Sequence, residues 1–365
     1  MAEANKKKRK RGNGVLRFFN TLLTIALIGL VIAAGVVLYG ISQFGAEGPV
    51  HEDTTFLVEP GNSLTTIANR LAEQGLITDA MIFRVATVAQ GRDRDIRAGE
   101  YAITANASMA DILYQITEGE PISYGVTVPE GFTVWQVVQR VNADPNLSGE
   151  IAVTPPEGSL LPGTYDYRRG DTRQSVVDKM VAAMDQTLAQ VWESRDPDLP
   201  LDNPGELVTL ASIVEKETAV ASERPEVASV FVNRLRANMR LQSDPTIIYG
   251  ITMGEGVLGR GLLRSEIDRP TPYNTYQIDG LPPGPIANPG IESLRAVANP
   301  ADTGYYYFVA DGTGGHAFAE NYADHQANVA RWRQIEAEQA AAAAARAEEA
   351  EAALEEAEEP GTAPE

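Results

Sequence analysis

The chain is 365 residues long, carries 50 Asp and Glu against 30 Lys and Arg for a formal net charge of −20, and contains no cysteine. That length allows two or three domains, and an apolar fraction of 44% is enough to give each a core. So acidic a surface repels phosphate and excludes nucleic acid as a partner, while a chain without thiols has no disulfide, no thiolate metal site and no cysteine nucleophile.

The charge is unevenly spread. Basic residues crowd Lys6-Lys-Lys-Arg-Lys-Arg11, and acidic ones the C-terminal tail. Leu22 to Ile41 is uncharged and almost wholly apolar, and at about 1.5 Å per residue it is long enough to cross the hydrocarbon of a bilayer. The positive-inside rule then puts residues 1–20 in the cytoplasm and residues 21–41 across the inner membrane as a single-pass anchor. Everything beyond Gln43 falls in the periplasm. A cleaved signal peptide is the rival reading. The run is too long for the usual apolar region of one, although Ala33-Ala34-Gly35 offers small residues.

Residues 42–53 form a polar tether. An internal repeat follows. Phe56–Leu71 aligns without gaps to Tyr101–Ile116 and again to Val126–Val141. Each copy reads as a short strand, a turn, and a Ser or Thr cap (Ser63, Ser108, Thr133) opening an amphipathic helix. The apolar positions agree as Leu64/Met109/Val134, Ile67/Ile112/Val137 and Leu71/Ile116/Val141. No copy can bury its face alone, so the three are expected to pack together over residues 54–143, with a further helix from Asp79 to Gln90. The strand-turn-helix with Pro60-Gly61 in its turn resembles the LysM-like glycan-binding module; a plain spacer accounts for it equally well.

Asp144 to Tyr167 is Pro/Gly-rich and aperiodic, a junction or a loop over a groove, and its Leu160-Leu-Pro-Gly-Thr-Tyr165 is too apolar to be solvated. Thr172 to Glu193 reads as a long helix. The next, Leu207 to Ala219, follows Pro204-Gly205, and Leu207, Leu210, Ala211 and Val214 share one face. Glu217 sits on the edge that Ile213 widens, Lys216 nearly opposite, Glu215 off the far flank. A carboxyl leaning toward a buried face is either held by a cation or kept protonated, and the helix geometry leaves both open. A helix starting at Ser222-Glu-Arg-Pro225 follows, then Leu241–Tyr249 running from a turn into an apolar segment. The Pro-dense Gly280–Gly290 loop is suited only to a surface or cleft. A short helix Ile291–Ala298, a strand Tyr305–Ala310, the turn Asp311–Gly315 and a final helix from near Asn321 complete the fold. From about Gln334 the Ala/Glu-rich composition has no stripe to dock and reads as a disordered or helical acidic tail over residues 334–365.

Other chemistries find little support. His316 and His325 do not have the spacing of a helical metal pair, so no metal is expected. No Gly-x-Ser-x-Gly elbow accompanies Ser212, and Gly312-Thr-Gly-Gly315 lacks the Lys-Ser/Thr of a phosphate loop. What remains is a carboxylic acid near loops rich in Tyr, Asn, Gln and Pro, the inventory of a sugar-chain cleft. Gln242, Asp244, Tyr249, Tyr273, Asn274, Tyr276 and Asn288 are the candidate groove lining. For each, packing or loop hydrogen bonding is an equally good account.

Leu210–Arg224, Val227–Leu235, Met239–Thr246, Tyr273-Asn-Thr-Tyr276 and Gly280–Gly290 together resemble the endolytic murein transglycosylase (MltG, YceG-like) family, from the tether to the last helix. The resemblance implies an α+β fold: a transmembrane anchor, a LysM-like module and a mixed α+β catalytic domain over residues 144–333. It also implies a cofactor-free lyase that cuts nascent peptidoglycan strands, and peptidoglycan synthases as partners. The family's catalytic acid, the second Glu of Glu-Lys-Glu-Thr, falls on Glu217. The muramyl C6 hydroxyl would then close on C1 and leave a 1,6-anhydro end. A hydrolase would need a second acid, for which Asp244 is the candidate, and a silent glycan-binding scaffold is the non-enzymatic alternative. The family's Pro-Asp-Thr-Tyr stands here as Pro162-Gly-Thr-Tyr165, which removes an acidic side chain from that loop.

Overall fold

A computed structural model of the chain describes residues 14–358; the basic Lys6–Arg11 cluster and the final residues 359–365 lie outside them. The fold is mixed α+β. Two compact units emerge, Met1–Tyr124 with Arg168–Gly170, and Gly125–Tyr167 with Asp171–Glu365.

The first unit opens with α1 (Gly14–Gly45), longer at both ends than the apolar run in the sequence. Its segment Leu16–Gly45 has a mean hydropathy of 2.7 and is unburied, so by length and composition it is able to cross a membrane. Then come β1 (Thr54–Val58), α2 (Leu64–Glu73), α3 (Ala80–Ala89), β2 (Gly99–Ile103) and α4 (Met109–Glu118). The first two repeat copies supply β1–α2 and β2–α4. Their strands pair antiparallel with Phe56 opposite Tyr101, which puts equivalent aromatic side chains at the centre of one core with Ile67, Leu71, Ile112 and Ile116. The predicted caps form: Ser63 accepts from Thr66 N, and Ser108 makes a reciprocal capping box with Asp111. Between the copies, Asp79 caps α3 through Met81 N and Ile82 N.

The second unit holds β3 (Tyr124–Val128, all but its first residue), α5 (Val134–Asn142), β4 (Gly163–Tyr167), α6 (Arg173–Glu193), α7 (Pro204–Glu217), α8 (Arg224–Arg236), α9 (Asp244–Thr252), α10 (Arg264–Ile267), α11 (Ile291–Ala298), β5 (Tyr307–Ala310), β6 (His316–Ala319) and α12 (Tyr322–Glu358). The third repeat copy, β3–α5, therefore belongs to this unit. Its strand pairs with β4, a strand in a stretch that looks aperiodic in sequence. Beside that strand Leu160 is fully buried. The sequence ends one helix and begins a tail near Gln334, whereas α12 continues unbroken to Glu358.

The helix α7 is the hub of this unit. Its sequence pattern suggests a one-sided amphipathic helix, yet every residue from Leu207 to Val214 is buried. The side that looks polar is closed because its residues are small and satisfy themselves internally. Thr209 donates to Gly205 O, Ser212 donates to Thr209 O, and Ser212 Oγ also accepts from Ile286 N at 3.0 Å. Pro204 is not before the helix but in its first turn, where its missing N–H costs nothing, and Asn203 caps Glu206 N.

The Ser212 bond gives a test of this packing. Ser212→Ala leaves the Ile286 amide unpaired in the interior and is expected to lower stability by about 1–3 kcal/mol, read as a fall in the thermal midpoint. An unchanged midpoint would show that the interior bond carries no weight.

Candidate active site

The hub helix ends at Glu217. After it, Thr218 turns extended and the chain makes a 3₁₀ turn, Ala221–Glu223, into α8. The start of α9 is brought against this helix end by a strained approach. Gln242 adopts φ +53°, its N–H donates to Thr275 O, and Ser243 N donates to Thr275 Oγ1 at 2.9 Å. Ser243 is 1% exposed and stands at the N-cap position of α9, yet its side chain makes no capping bond. Its hydroxyl donates instead to Glu217 Oε1 at 2.5 Å. The other oxygen, Oε2, has no hydrogen-bond partner among the described residues and is not among the buried polar atoms lacking one, so it keeps some contact with solvent.

Glu217 as a residue keeps some exposure, but protein crowds its carboxyl on nearly every side, and that crowding governs the proton. Its pKa is pushed up to about 7, first by burial and then by the charge of Asp244, against the opposing Ser243 bond and the more distant His316 and Arg234. Around it stand two fixed groups. Arg234, 7% exposed, is held by Tyr306 O and Leu241 O, each at 2.7 Å. His316 bonds Glu223 through Nδ1 at 2.7 Å and through its backbone N–H at 2.8 Å. Asp244 Oδ1 accepts from Tyr276 Oη at 2.7 Å, and burial together with that carboxylate raises the Tyr276 pKa, keeping the phenol a donor.

The ion pair that the sequence allows for Glu217 belongs to Glu215. That carboxylate is buried, meets Arg224 at 3.3 Å, and accepts from Gly290 N and Ser293 Oγ. The sequence geometry set it off the far flank because an amphipathic helix was assumed; α11 packs there instead.

Of the seven candidate lining residues, Gln242 and Asp244 are exposed and Tyr276 partly so, and all three come from the loops that converge on Glu217. Tyr249 lines a cleft of about 380 Å³ together with Lys216, Pro245 and Gln136. Glu217 and Asp244 are not among the residues that line this cleft, although their chain neighbours Lys216 and Pro245 are. Tyr273 packs on the Tyr249 ring at 4.9 Å. Asn274 and Asn288 do not line a groove. Both are 0% exposed. The Asn274 amide ties Glu266 O, Ile267 O and Arg269 O, and that of Asn288 joins Leu160 N to Phe132 O. The Pro-dense loop lines a different cleft, of about 610 Å³, at the Asn203–Glu206 end of α7.

Sequence reasoning missed Ser243, Arg234, and the Glu223–His316 pair. It also missed Glu157, a half-buried carboxyl whose pKa is raised by desolvation, accepting from Val134 N and within 3.4 Å of Tyr249 Oη. Ser243 carried a signal, since Ser-Asp-Pro-Thr is a helix start, but nothing local says that the cap is spent on a distant side chain.

A family model described as YceG-like matches residues 56–331. Proteins named endolytic murein transglycosylase are similar to the chain: one from Streptococcus pneumoniae is 30% identical over 322 residues, covering 75% of this chain and 57% of that protein. One from Bacillus subtilis is 28% identical over 332 residues, covering 81% of this chain and 89% of the relative. The chain thus spans little more than half the length of its streptococcal relative. The crystal structure of a yceG-like protein from Listeria monocytogenes is 27% identical and superposes with a TM-score of 0.48, over 75% of this chain and 98% of that one.

The raised Glu217 pKa has a signature in stability. Because the folded-state pKa of about 7 lies above the ordinary 4.5, folding is favoured fully below pH 4.5 and progressively less as pH climbs through 7, a loss of about 3 kcal/mol. Glu217→Gln carries no such charge. Its melting temperature relative to the wild type is therefore expected to rise between pH 5 and pH 8; a difference that stays flat across that range would mean the carboxyl is ordinarily solvated.

Proposed function

Because the chain belongs to the YceG-like family, we propose that it is a peptidoglycan lytic transglycosylase, a lyase that cuts the bond between N-acetylmuramic acid and N-acetylglucosamine within nascent strands. The observation that carries this reading is the setting of Glu217: a carboxyl with no bonded cation, one oxygen held by Ser243, the other without a partner among the described residues, and a pKa pushed up to about 7 by burial. Since Ser243 donates to Oε1, the acid proton resides on Oε2, the oxygen a substrate can reach.

Chemistry follows from that proton. Oε2–H protonates the glycosidic oxygen as the C1–O bond breaks, and the leaving N-acetylglucosamine departs as an alcohol. The muramyl C6 hydroxyl then closes on C1, forming the 1,6-anhydro bond, and gives its proton to the Glu217 carboxylate. The acid is regenerated and no water is consumed. The nucleophile is tethered to the reacting ring, so high effective molarity replaces a second activating residue. Asp244, held by Tyr276, supplies fixed negative charge where C1 becomes electron-poor. The cleft lined by Gln136, Lys216, Pro245 and Tyr249 takes sugars of the same strand.

The remaining parts fit a membrane-tethered wall enzyme. The apolar α1 is a single-pass anchor with the N-terminus cytoplasmic and everything beyond Gln43 periplasmic, the strand–helix copies form a LysM-like glycan-binding module, and synthases of the same strands are partners. Cutting there sets where new strands end.

Two measurements test the chemistry. Glu217→Gln is expected to lower release of anhydro-ended fragments from uncrosslinked glycan by about 10²–10⁴-fold, and wild-type cutting by this variant would remove the assignment. Products with reducing ends in place of anhydro ends would make the protein a hydrolase using Asp244. For the wild type, activity should fall as pH rises past about 7. Ser243→Ala removes a donor that favours the charged form, so its alkaline limb should move to higher pH while its rate drops; an unmoved limb would show that Ser243 does not govern the proton.

A further inference from the structure

The helix α3 is apolar on two opposite faces. Phe83 and Thr87 are 0% exposed and point into the core of the first unit. Met81, Val85 and Val88 stand 65%, 60% and 57% exposed, and at about 100° per residue they form one stripe diametrically opposite. A surface helix ordinarily turns polar residues outward, as α2 does with its exposed Thr65, Thr66 and Glu73. The exposed stripe on α3 lacks any covering element in its own unit.

The position of α3 identifies what covers it. The C-terminal end of α1 packs on α3, with the Phe44 and Phe83 rings 6.5 Å apart, and Phe44 and Val50 both join the core that holds Phe83. The apolar run ends at Ile41, three residues before Phe44, which at ~1.5 Å per residue places the docking point about one headgroup depth beyond the hydrocarbon. A helix about 10 Å across, centred at that level, spans the headgroup layer and reaches the edge of the acyl region. We propose that the Met81–Val85–Val88 face of α3 beds into the headgroup and acyl boundary of the same membrane that α1 crosses, so that the first unit lies on the bilayer and does not swing free on a tether.

This rests on reading α1 as a membrane span and is independent of the chemistry at Glu217. The absence of cysteine makes the test clean: the full chain with Val85→Cys, or with Glu73→Cys on α2 as the reference, takes a single environment-sensitive fluorophore. Each labelled protein is reconstituted in vesicles containing lipids with a nitroxide at the shallow end of the acyl chain. The fluorophore at 85 should be blue-shifted and quenched several-fold more strongly than that at 73, independently of protein-to-lipid ratio. Equal, weak quenching at both positions in protein that floats with the vesicles overturns the proposal. So does shielding at 85 without lipid quenching, which would assign the stripe to a second copy or another protein. Failure of the unlabelled chain to float would instead remove the span reading itself.

Discussion

A single hydroxyl-to-carboxyl bond, Ser243 to Glu217, ties the end of the hub helix to the start of α9. A carboxyl delivered to the end of a helix that is buried all round has lost most of its hydration, and a protein can meet that cost with a cation or by leaving the group protonated. Two residues earlier, Glu215 takes the first route through Arg224 and two further donors. Glu217 receives one neutral donor, and the nearby Asp244 weighs against its ionisation. Two acids on one turn of one helix are thereby placed in opposite surroundings, one against a cation and one against a neutral hydroxyl, by what converges on each.

Much of this was legible in the chain. Short-range chemistry marks the helices, because a hydroxyl or carboxylate before an apolar run has few other uses; Ser63, Ser108 and Thr133 cap as the pattern suggests, and Asp79 and Thr172, at which the sequence starts two further helices, prove to be their caps. Ile291–Ala298 is a helix within its expected bounds. Features that depend on distant partners were not legible. β4 alternates only over Thr164–Tyr167, too short a run to mark a strand until β3 lies beside it, and β6 likewise follows from pairing with β5, Tyr307 opposite Ala319.

The site divides along the same line. Glu217 stood out because one helix suffices to place it. Asn274 and Asn288 looked like groove residues because amides in Pro-rich loops are ambiguous, and only the fold shows their groups committed to backbone. Arg234 and the Glu223–His316 pair were invisible for the complementary reason, since their nearness to Glu217 requires α8, β6 and α7 to meet.

The third repeat copy has a practical consequence for anyone dissecting the molecule. Reading the repeat as a boundary suggests cutting after residue 143, yet β3 and α5 belong to the unit that follows, and Thr133 Oγ1 donates to Gly254 O while Gly131 N donates to Asn288 O. A shortened chain starting at residue 144 strips β4 of its only mate among the described strands. It exposes a raw edge of the kind that templates aggregation. A fragment that keeps the unit whole begins ahead of Gly125, so the fold divides between two units a repeat whose copies sequence symmetry would have kept together.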